Sequence, residues 1–566
     1  MNTKQWAFGL ASFCLLWGPA HAGRLPPLVA KQVDKVFAEW SNPDSPGCAL
    51  GVYQDGRIVY ARGYGMADLN EGVPITPATV FHVASMSKQF TAASIILLAQ
   101  QGKLSLDDDV HKYIPELPDF GEPITLRELM HHTSGLRDQW ALLDLAGWRY
   151  SQDLITDDDV MSVVTRQKQL NFKPGEKYLY SNTGFTLLGL VVKRVSGLSL
   201  REFTSKSIFE PLGMTSTHFR DDHAEIIKHD AVGYARAGKD KPFRISITNF
   251  DTVGATSLHT TVEDLQKWDE NFYRPRVGGP AFVRQMLEQA KLNSGEQIEY
   301  ASGLQITQYR GLPTVDHGGA DAGYRSDMRR FPKQHFTATV LCNAAEANPS
   351  RLVRKVADIM LAKDLSPAPS LAKPVAAGEG SSVSADLRTS LPGLYWSATD
   401  DDFVRVAVKG EALEIAVGSD DPHLLASGEP GHLHFVYAPG GEGVDVQPLA
   451  PAGGKPRRLV LTPPGGKPVT FDTVTASAPT SAELADFTGP YVSDEIDPIY
   501  RITLKDGALT LMRPKNDPDK LRPMTRDVFV GDIGTVRFTR DASHHVTGFV
   551  LDAGRIANFH FERKRT

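Results

Sequence analysis

From Phe81 to Gly102 the chain reads FHVASMSKQFTAASIILLAQQG, and between Gln89 and Gln100 it is apolar nearly all round. A helix with no polar face is buried inside a domain rather than laid on its surface. Residues 48–65, CALGVYQDGRIVYARGYG, read as two β-rich runs joined by Asp55-Gly56, which predicts a tight hairpin. From Leu106 to about Arg220 the spacing becomes mostly helical, with Asp107-Asp108-Asp109 and Asp157-Asp158-Asp159 placed ahead of apolar residues. Those triplets read as helix caps and turns, because no Gly and distal Glu complete a calcium loop. Leu312–Val315, Tyr324–Phe331 and Phe336–Leu341 read as three further strands. Early and late strands enclosing a long helical stretch predict one α/β domain whose sheet is assembled from both ends.

Past Asp364 the chain turns to Pro, Ala, Ser and Gly, the composition of a linker. A repeat follows at a fixed offset of 96. It pairs Gly393 with Gly489, Tyr395 with Tyr491, Ser397 with Ser493, Arg405 with Arg501, Lys409 with Lys505 and Ala412-Leu413 with Ala508-Leu509. One offset without gaps indicates a duplicated unit, and both copies alternate as strands between Gly-rich turns. The expected organisation is a catalytic α/β domain over 23–363, a linker over 364–387 and two small antiparallel β-barrels over 388–476 and 477–566.

Composition narrows the function classes. A chain of 566 residues with net charge −6 and a pI near 6.3 offers no electrostatic case for nucleic acid or an anionic membrane surface. Its N-terminus has Lys4, an apolar run around Phe8–Trp17 and the small-x-small Ala20-His21-Ala22, which reads as a signal peptide over 1–22. The expected location is therefore periplasmic or secreted, with no membrane span after cleavage. Cys14 leaves with the signal; Cys48 and Cys342 remain, in a compartment where thiols oxidise.

The apolar helix begins with candidate chemistry. Ser85 and Lys88 are three apart, a spacing that stacks a hydroxyl and an amine on one helical face near free backbone N–H groups. A chain of this length shows Ser-x-x-Lys about twice by chance, so the pair needs company. Three segments supply it. Lys177–Gly189, KYLYSNTGFTLLG, carries Tyr180-Ser181-Asn182 before another apolar helix. Leu312–Tyr324, LPTVDHGGADAGY, puts His317-Gly318-Gly319 at a strand end. Between the Ser85 helix and these, Leu126–Trp140 contains the polar loop HHTSGLRDQW. Taken singly, Tyr180 and Asn182 read as a helix start and His317 as a structural histidine. His131-His132 and His544-His545 lack the spacing and companions of a zinc site, and no Gly-x-Ser-x-Gly elbow nominates a rival serine.

In this order the motifs resemble the serine β-lactamase and penicillin-binding superfamily, on the branch of class C β-lactamases, related esterases and D-aminopeptidases. The phrases ITLRELMHHTSGL, EPLGMTSTHF and SNTGFTLLGLVVKRVSG fit as well, and the resemblance covers roughly residues 30–360. Two C-terminal barrels, with SGLRDQWAL and GPYVSDEIDPIY, look most like the D-aminopeptidase subgroup. The resemblance implies Ser85 as nucleophile, Lys88 as its base or proton partner, Tyr180 as proton shuttle and Asn182 on the acyl side of the substrate. It also implies an oxyanion hole from the backbone N–H groups of Ser85 and Ala320, with Gly318 and Gly319 admitting the substrate closely and His317 at the catalytic edge. The superfamily's first and last strands are antiparallel neighbours, which implies a Cys48–Cys342 disulfide.

The implied enzyme is a metal-free serine hydrolase without organic cofactor, acting on a small molecule or short peptide. D-aminopeptidase or esterase action, β-lactam or D-alanyl-peptide hydrolysis, and slow-turnover penicillin or cell-wall binding are its alternatives; the oligomeric state stays open. Where β-lactamases usually carry Lys-Thr-Gly, a histidine of ordinary pKa near 6.5 is mostly neutral. That departure favours substrates without a carboxylate on the leaving side, unless Arg325 restores the charge.

Overall fold

The computed structural model describes residues 25–564 apart from 239–240, 368–382 and the short barrel segments 400–401, 419, 429, 437–442, 452–455 and 464–465. The signal-peptide expectation over 1–22 lies outside the described residues, as does most of the expected linker. Leu365 is buried on the catalytic side of that stretch, and a helix capped by Ser384 begins at Ala385 on the other.

A six-stranded antiparallel sheet organises the first domain in the order Gln305–Tyr309, Leu312–Asp321, Tyr324–Phe331, Phe336–Cys342, Cys48–Gln54, Arg57–Tyr64. The two ends of the sequence meet where Cys48–Gln54 pairs with Phe336–Cys342, both buried nearly throughout. Asp55 and Gly56 both take left-handed φ, 51° and 73°, and so close the predicted hairpin as a tight two-residue turn. Alternate residues of the central strands serve two cores. Leu50 and Val52 face Val353, Val356 and Val33 of the helices Pro349–Met360 and Pro27–Val36, whereas Ala49 and Tyr53 face the helical lobe. Cys48 and Cys342 stand directly opposite in the ladder, Cα atoms 4.0 Å apart, and are joined as a disulfide.

Helix Lys88–Gln100 buries every residue from Lys88 to Leu98, the polar Lys88, Gln89, Thr91 and Ser94 included, as its nearly all-round apolar pattern leads one to expect. Asp157, Asp158 and Asp159 form the first turn of a helix capped by Thr156, and Asp109 caps Val110–Lys112. The edge strand Gln305–Tyr309 escaped the sequence reading because it is half-exposed and lacks a buried alternation. Leu312–Asp321 also runs further than expected, through His317-Gly318-Gly319. Two closed eight-stranded antiparallel barrels follow, with strands from Gly393 to Val474 and from Gly489 to Arg563. Among the described residues no single helix is long and apolar enough to cross a membrane.

Candidate active site

The chain approaches Ser85 through the short strand Phe81–His82, paired with Leu258–Thr260. Ala84 then takes a left-handed φ of 50°, which costs a non-glycine residue roughly 1–2 kcal/mol. The turn is held in place: the hydroxyl of Ser87 donates to the Ala84 carbonyl at 2.6 Å and accepts from Leu258 N–H at 3.0 Å. Ala84–Ser87 is a 3-10 turn, so the α-helix begins at Lys88 rather than at Ser85. A 3-10 turn eclipses i and i+3, and Nζ of Lys88 lies 3.1 Å from Oγ of Ser85.

Lys88 is fully buried, with Nζ also 2.8 Å from Oδ1 of Asn182 and 2.7 Å from the Ala255 carbonyl. Both of those partners only accept. A neutral amine has two N–H donors and one lone pair, so donating to Asn182 and Ala255 leaves the lone pair facing the Ser85 hydroxyl. Burial pulls the Lys88 pKa down from 10.5 to about 7; the Asp138 carboxylate opposes this and the Arg555 guanidinium adds to it. Asn182 is fixed in turn, its backbone N–H and Nδ2 both donating to Oδ2 of Asp138 at 2.8 Å.

Tyr180 has Nζ of Lys88 4.9 Å and the Arg555 guanidinium 4.8 Å from its ring centre. Burial raises its phenol above the ordinary value, although a hydrogen bond with Ser85 and the Arg555 charge both oppose the shift. It is therefore a protonated phenol at neutral pH, able to relay a proton but not to act as a standing base. His132 packs at a tilt against Tyr180, ring centres 4.1 Å apart, and its Nδ1 accepts from Ser181 N–H at 3.1 Å. Burial and then the neighbouring Lys88 charge push its pKa well down, so the ring is neutral.

His317 lines the cavity, as its place in the motif leads one to expect. Its Nδ1 lies 2.6 Å from the Gly318 carbonyl, an acceptor, so Nδ1 carries the proton, and Nε2 accepts from the Tyr300 hydroxyl at 2.9 Å. Burial, then Lys88, lowers its pKa to about 4. With both nitrogens engaged and no charge at neutral pH, it lines the cavity as a fixed wall. Gly319 has a plainer necessity: a Cβ there would stand 2.3 Å from the Val83 carbonyl oxygen and 3.0 Å from Ala84 Cβ. Only glycine lets this strand lie against the Ser85 turn. At Gly318 the nearest atom to such a Cβ is 3.3 Å away, so the constraint is weaker. Ala320, next along, is exposed at the cavity.

Ser85, Tyr180, Asn182, His317, Gly318, Gly319 and Ala320 line one cavity of about 1120 Å³, with Lys88 bonded beneath Ser85. Arg325 also borders it, donating to the carbonyls of Ala322 and Tyr324. His131, His544 and His545 do not reach it. Asp222, His223 and Asp251 form a surface group in which His223 Nδ1 is already bonded to Asp251 at 2.9 Å.

Several site residues were not singled out from the sequence. Trp140 and Tyr150 form an aromatic wall with Phe250, at ring separations of 4.7–5.3 Å. Asp138 and His132 lie in the HHTSGLRDQW loop noted for its polarity. Arg555 arrives from the second barrel, in the hairpin before Ile556–Arg563, and its guanidinium stands 3.5 Å from Asp138. Beside it the buried Arg137 pairs with Glu495 at 2.7 Å and donates to the carbonyls of Ala557 and Asn558.

Comparison with known proteins places the catalytic domain in a family. The family model described as Beta-lactamase matches residues 33–362. Penicillin-binding protein 4* of Bacillus subtilis (strain 168) is 32% identical over 306 residues, covering 52% of this chain and 67% of that protein. A D-aminopeptidase of Gluconobacter oxydans (strain 621H) is 30% identical over 53% of this chain and 56% of its own length. The chain thus spans little more than half of the Gluconobacter relative. The solved structure of an octameric penicillin-binding protein homologue from Pyrococcus abyssi shares the fold, with a TM-score of 0.54 at 23% identity, over 86% of this chain and 98% of that one.

Proposed function

The chain belongs to the beta-lactamase family and is a serine hydrolase of that kind, and on that premise we propose that it works through an acyl-enzyme on Ser85 with small amides, peptides or esters as substrates. The observation that carries this reading is the fully buried Lys88, 3.1 Å from Ser85 Oγ and otherwise bonded to the acceptors Asn182 Oδ1 and the Ala255 carbonyl, so that in its neutral form the lone pair is left for the Ser85 hydroxyl. Lys88 takes the hydroxyl proton as Oγ bonds to the substrate carbonyl carbon. Negative charge on the carbonyl oxygen is met by the N–H groups of Ser85 and Ala320. Tyr180 passes a proton to the departing amine or alcohol, and a water reverses the relay to release the acid.

On the leaving side the neutral, doubly bonded His317 supplies no cation for a substrate carboxylate. This supports a D-aminopeptidase or esterase type of substrate, in keeping with the similarity to the Gluconobacter enzyme and the two-barrel architecture. A second reading, hydrolysis of β-lactams or D-alanyl peptides, is favoured by Arg325 at the cavity wall. Screening D- and L-amino-acid amides, short-chain esters and a chromogenic cephalosporin separates the two: the first reading expects the higher kcat/KM on an amide or ester, and a preference for the cephalosporin overturns it.

Export to the periplasm or medium is part of the proposal, supported by the Cys48–Cys342 pairing, since such bonds persist in oxidising compartments. Free thiols at both positions in protein purified from its own compartment would count against it.

A further inference from the structure

In the cavity wall, apart from Ser85 and Lys88, lies a buried carboxylate that the hydrolytic reading does not use. Asp321 follows Ala320 directly and is almost fully enclosed. Its Oδ2 accepts from His82 Nε2 at 3.0 Å and from Thr256 Oγ1 at 2.8 Å, and its Oδ1 accepts from the Tyr150 hydroxyl at 2.5 Å. Each donor belongs to a different wall of the site. His82 sits three residues before Ser85, on the strand feeding the nucleophile turn. Thr256 follows Ala255, whose carbonyl receives Lys88. Tyr150 is part of the aromatic wall.

We propose that His82 and Asp321 form a clamp that positions the oxyanion hole, a role that rests on Ser85 being the nucleophile. The two backbone donors of the hole lie on separate elements, Ser85 on the 3-10 turn and Ala320 on the strand end. Nothing in a ladder fixes their separation, because Phe81–His82 pairs with Leu258–Thr260 and not with the strand that carries Ala320. Ser326 helps from one side, its hydroxyl donating to the Val83 carbonyl at 2.8 Å. The His82–Asp321 contact spans the other side, joining the residue three before one donor to the residue immediately after the second. Burial pushes the Asp321 carboxyl up, but hydrogen bonds from His82, Tyr150 and Thr256 and the electrostatic influence of His82 together hold it below its ordinary value. The clamp is therefore built round a charged acceptor, the strong kind of hydrogen bond. Asp321 is a positioning residue; the donors that touch the substrate are the N–H groups it holds.

The test uses the full-length protein with Asp321→Asn, His82→Gln and Thr256→Val, a p-nitrophenyl ester as substrate and a fluorophosphonate as the Ser85 label. Displacing an oxyanion donor by a fraction of an ångström costs less than deleting it. Asp321→Asn and His82→Gln are thus expected to lower kcat by about 10–100-fold with KM within about threefold. The pH profile provides a readout that loss of packing would not move. Lys88 is faced by Asp138, Arg555, His132, His317, Tyr180 and, further off, Asp321, whose negative charge raises the Lys88 pKa. Its removal in Asp321→Asn shifts the acid limb of kcat/KM to lower pH, while His82→Gln leaves that limb in place. Variants that melt earlier but keep wild-type kcat overturn the clamp, as does an acid limb that stays put in Asp321→Asn. If either charged-pair variant fails to fold, Thr256→Val decides, with a loss of about 3–10-fold in kcat expected and an unchanged kcat overturning the proposal. A wild type that the fluorophosphonate does not label at Ser85 overturns the nucleophile reading itself, so the two failures are distinguishable.

Discussion

The two barrels share one sequence repeat and one architecture, yet they stand in different relations to the catalytic domain. Tyr395 and Tyr491, 96 residues apart, make the same internal bond, each hydroxyl donating at 2.7 Å to a carbonyl four residues earlier, Leu391 or Phe487. Each barrel is also preceded by a short capped helix, with Ser384 and Thr480 as its caps. Outside those shared features they part. The first barrel closes its own core round Tyr395, Val404 and Leu413, and meets the second through a small cluster of Leu394, Phe403, Met524 and Val530. The core of the second is continuous with that of the helical lobe. Glu495 pairs there with the buried Arg137, Tyr500 donates to the Leu145 carbonyl, and Arg555 enters the active site. Thr399 occupies the place in the first copy that Glu495 has in the second. The two barrels thus share a scaffold, and Glu495, Tyr500 and Arg555 tie only the second to the helical lobe and the site.

The largest effect should come from the buried ion pair. Arg137→Ala or Glu495→Ala leaves an unpaired charge between lobe and barrel, at an expected cost of about 3–5 kcal/mol in urea unfolding. Lys467→Ala removes the first barrel's exposed contact to Glu296, for which about 0–1 kcal/mol is expected. Comparable losses for the two would erase the distinction between the barrels.

Arg555→Ala should act on catalysis more than on stability. Its positive charge lowers the Lys88 pKa. Without it that pKa rises, and since Lys88 serves as base only when neutral, the acid limb of kcat/KM moves to higher pH. Lys467→Ala should leave the profile unchanged, and an unmoved limb in Arg555→Ala would remove the second barrel from the chemistry.

The smallest expected effect concerns what the copies share. Tyr395→Phe and Tyr491→Phe should each lose about 0.5–1.5 kcal/mol, the worth of one buried hydrogen bond, with no change in kcat. Thermal melts of the two variants check this, and an activity loss confined to Tyr491→Phe would show that the second barrel's core, and not only its surface, supports the site.

How much of this was legible depended on whether the signal was local. Ser85, Lys88, Tyr180, Asn182 and His317-Gly318-Gly319 stand in short phrases at a helix start or a strand end, where residue type and spacing carry the chemistry. The repeat was legible because both copies keep strand alternation and turn glycines in register. Tyr300 was not, since it precedes an edge strand with little burial pattern. Asp321 lay inside the quoted HGGADAGY phrase, but its value comes from His82, Thr256 and Tyr150, which converge only in the folded chain. Arg555 carries no local mark, and Glu495, though inside the quoted GPYVSDEIDPIY phrase, gains its meaning only from Arg137 in another domain. The state of His317 was equally hidden: its motif position suggested a group facing the substrate, and only the Tyr300 hydroxyl and the Gly318 carbonyl show that both nitrogens are engaged.

The central claim is that Lys88 activates Ser85 to form a covalent acyl-enzyme, and intact-protein mass spectrometry after rapid acid quench of an ester turnover tests it most directly. The expected result is a single acyl adduct, mapped by peptide digestion to Ser85, absent in Ser85→Ala and formed far more slowly in Lys88→Ala. An adduct of equal yield in Ser85→Ala, or one mapped to another residue, would contradict it.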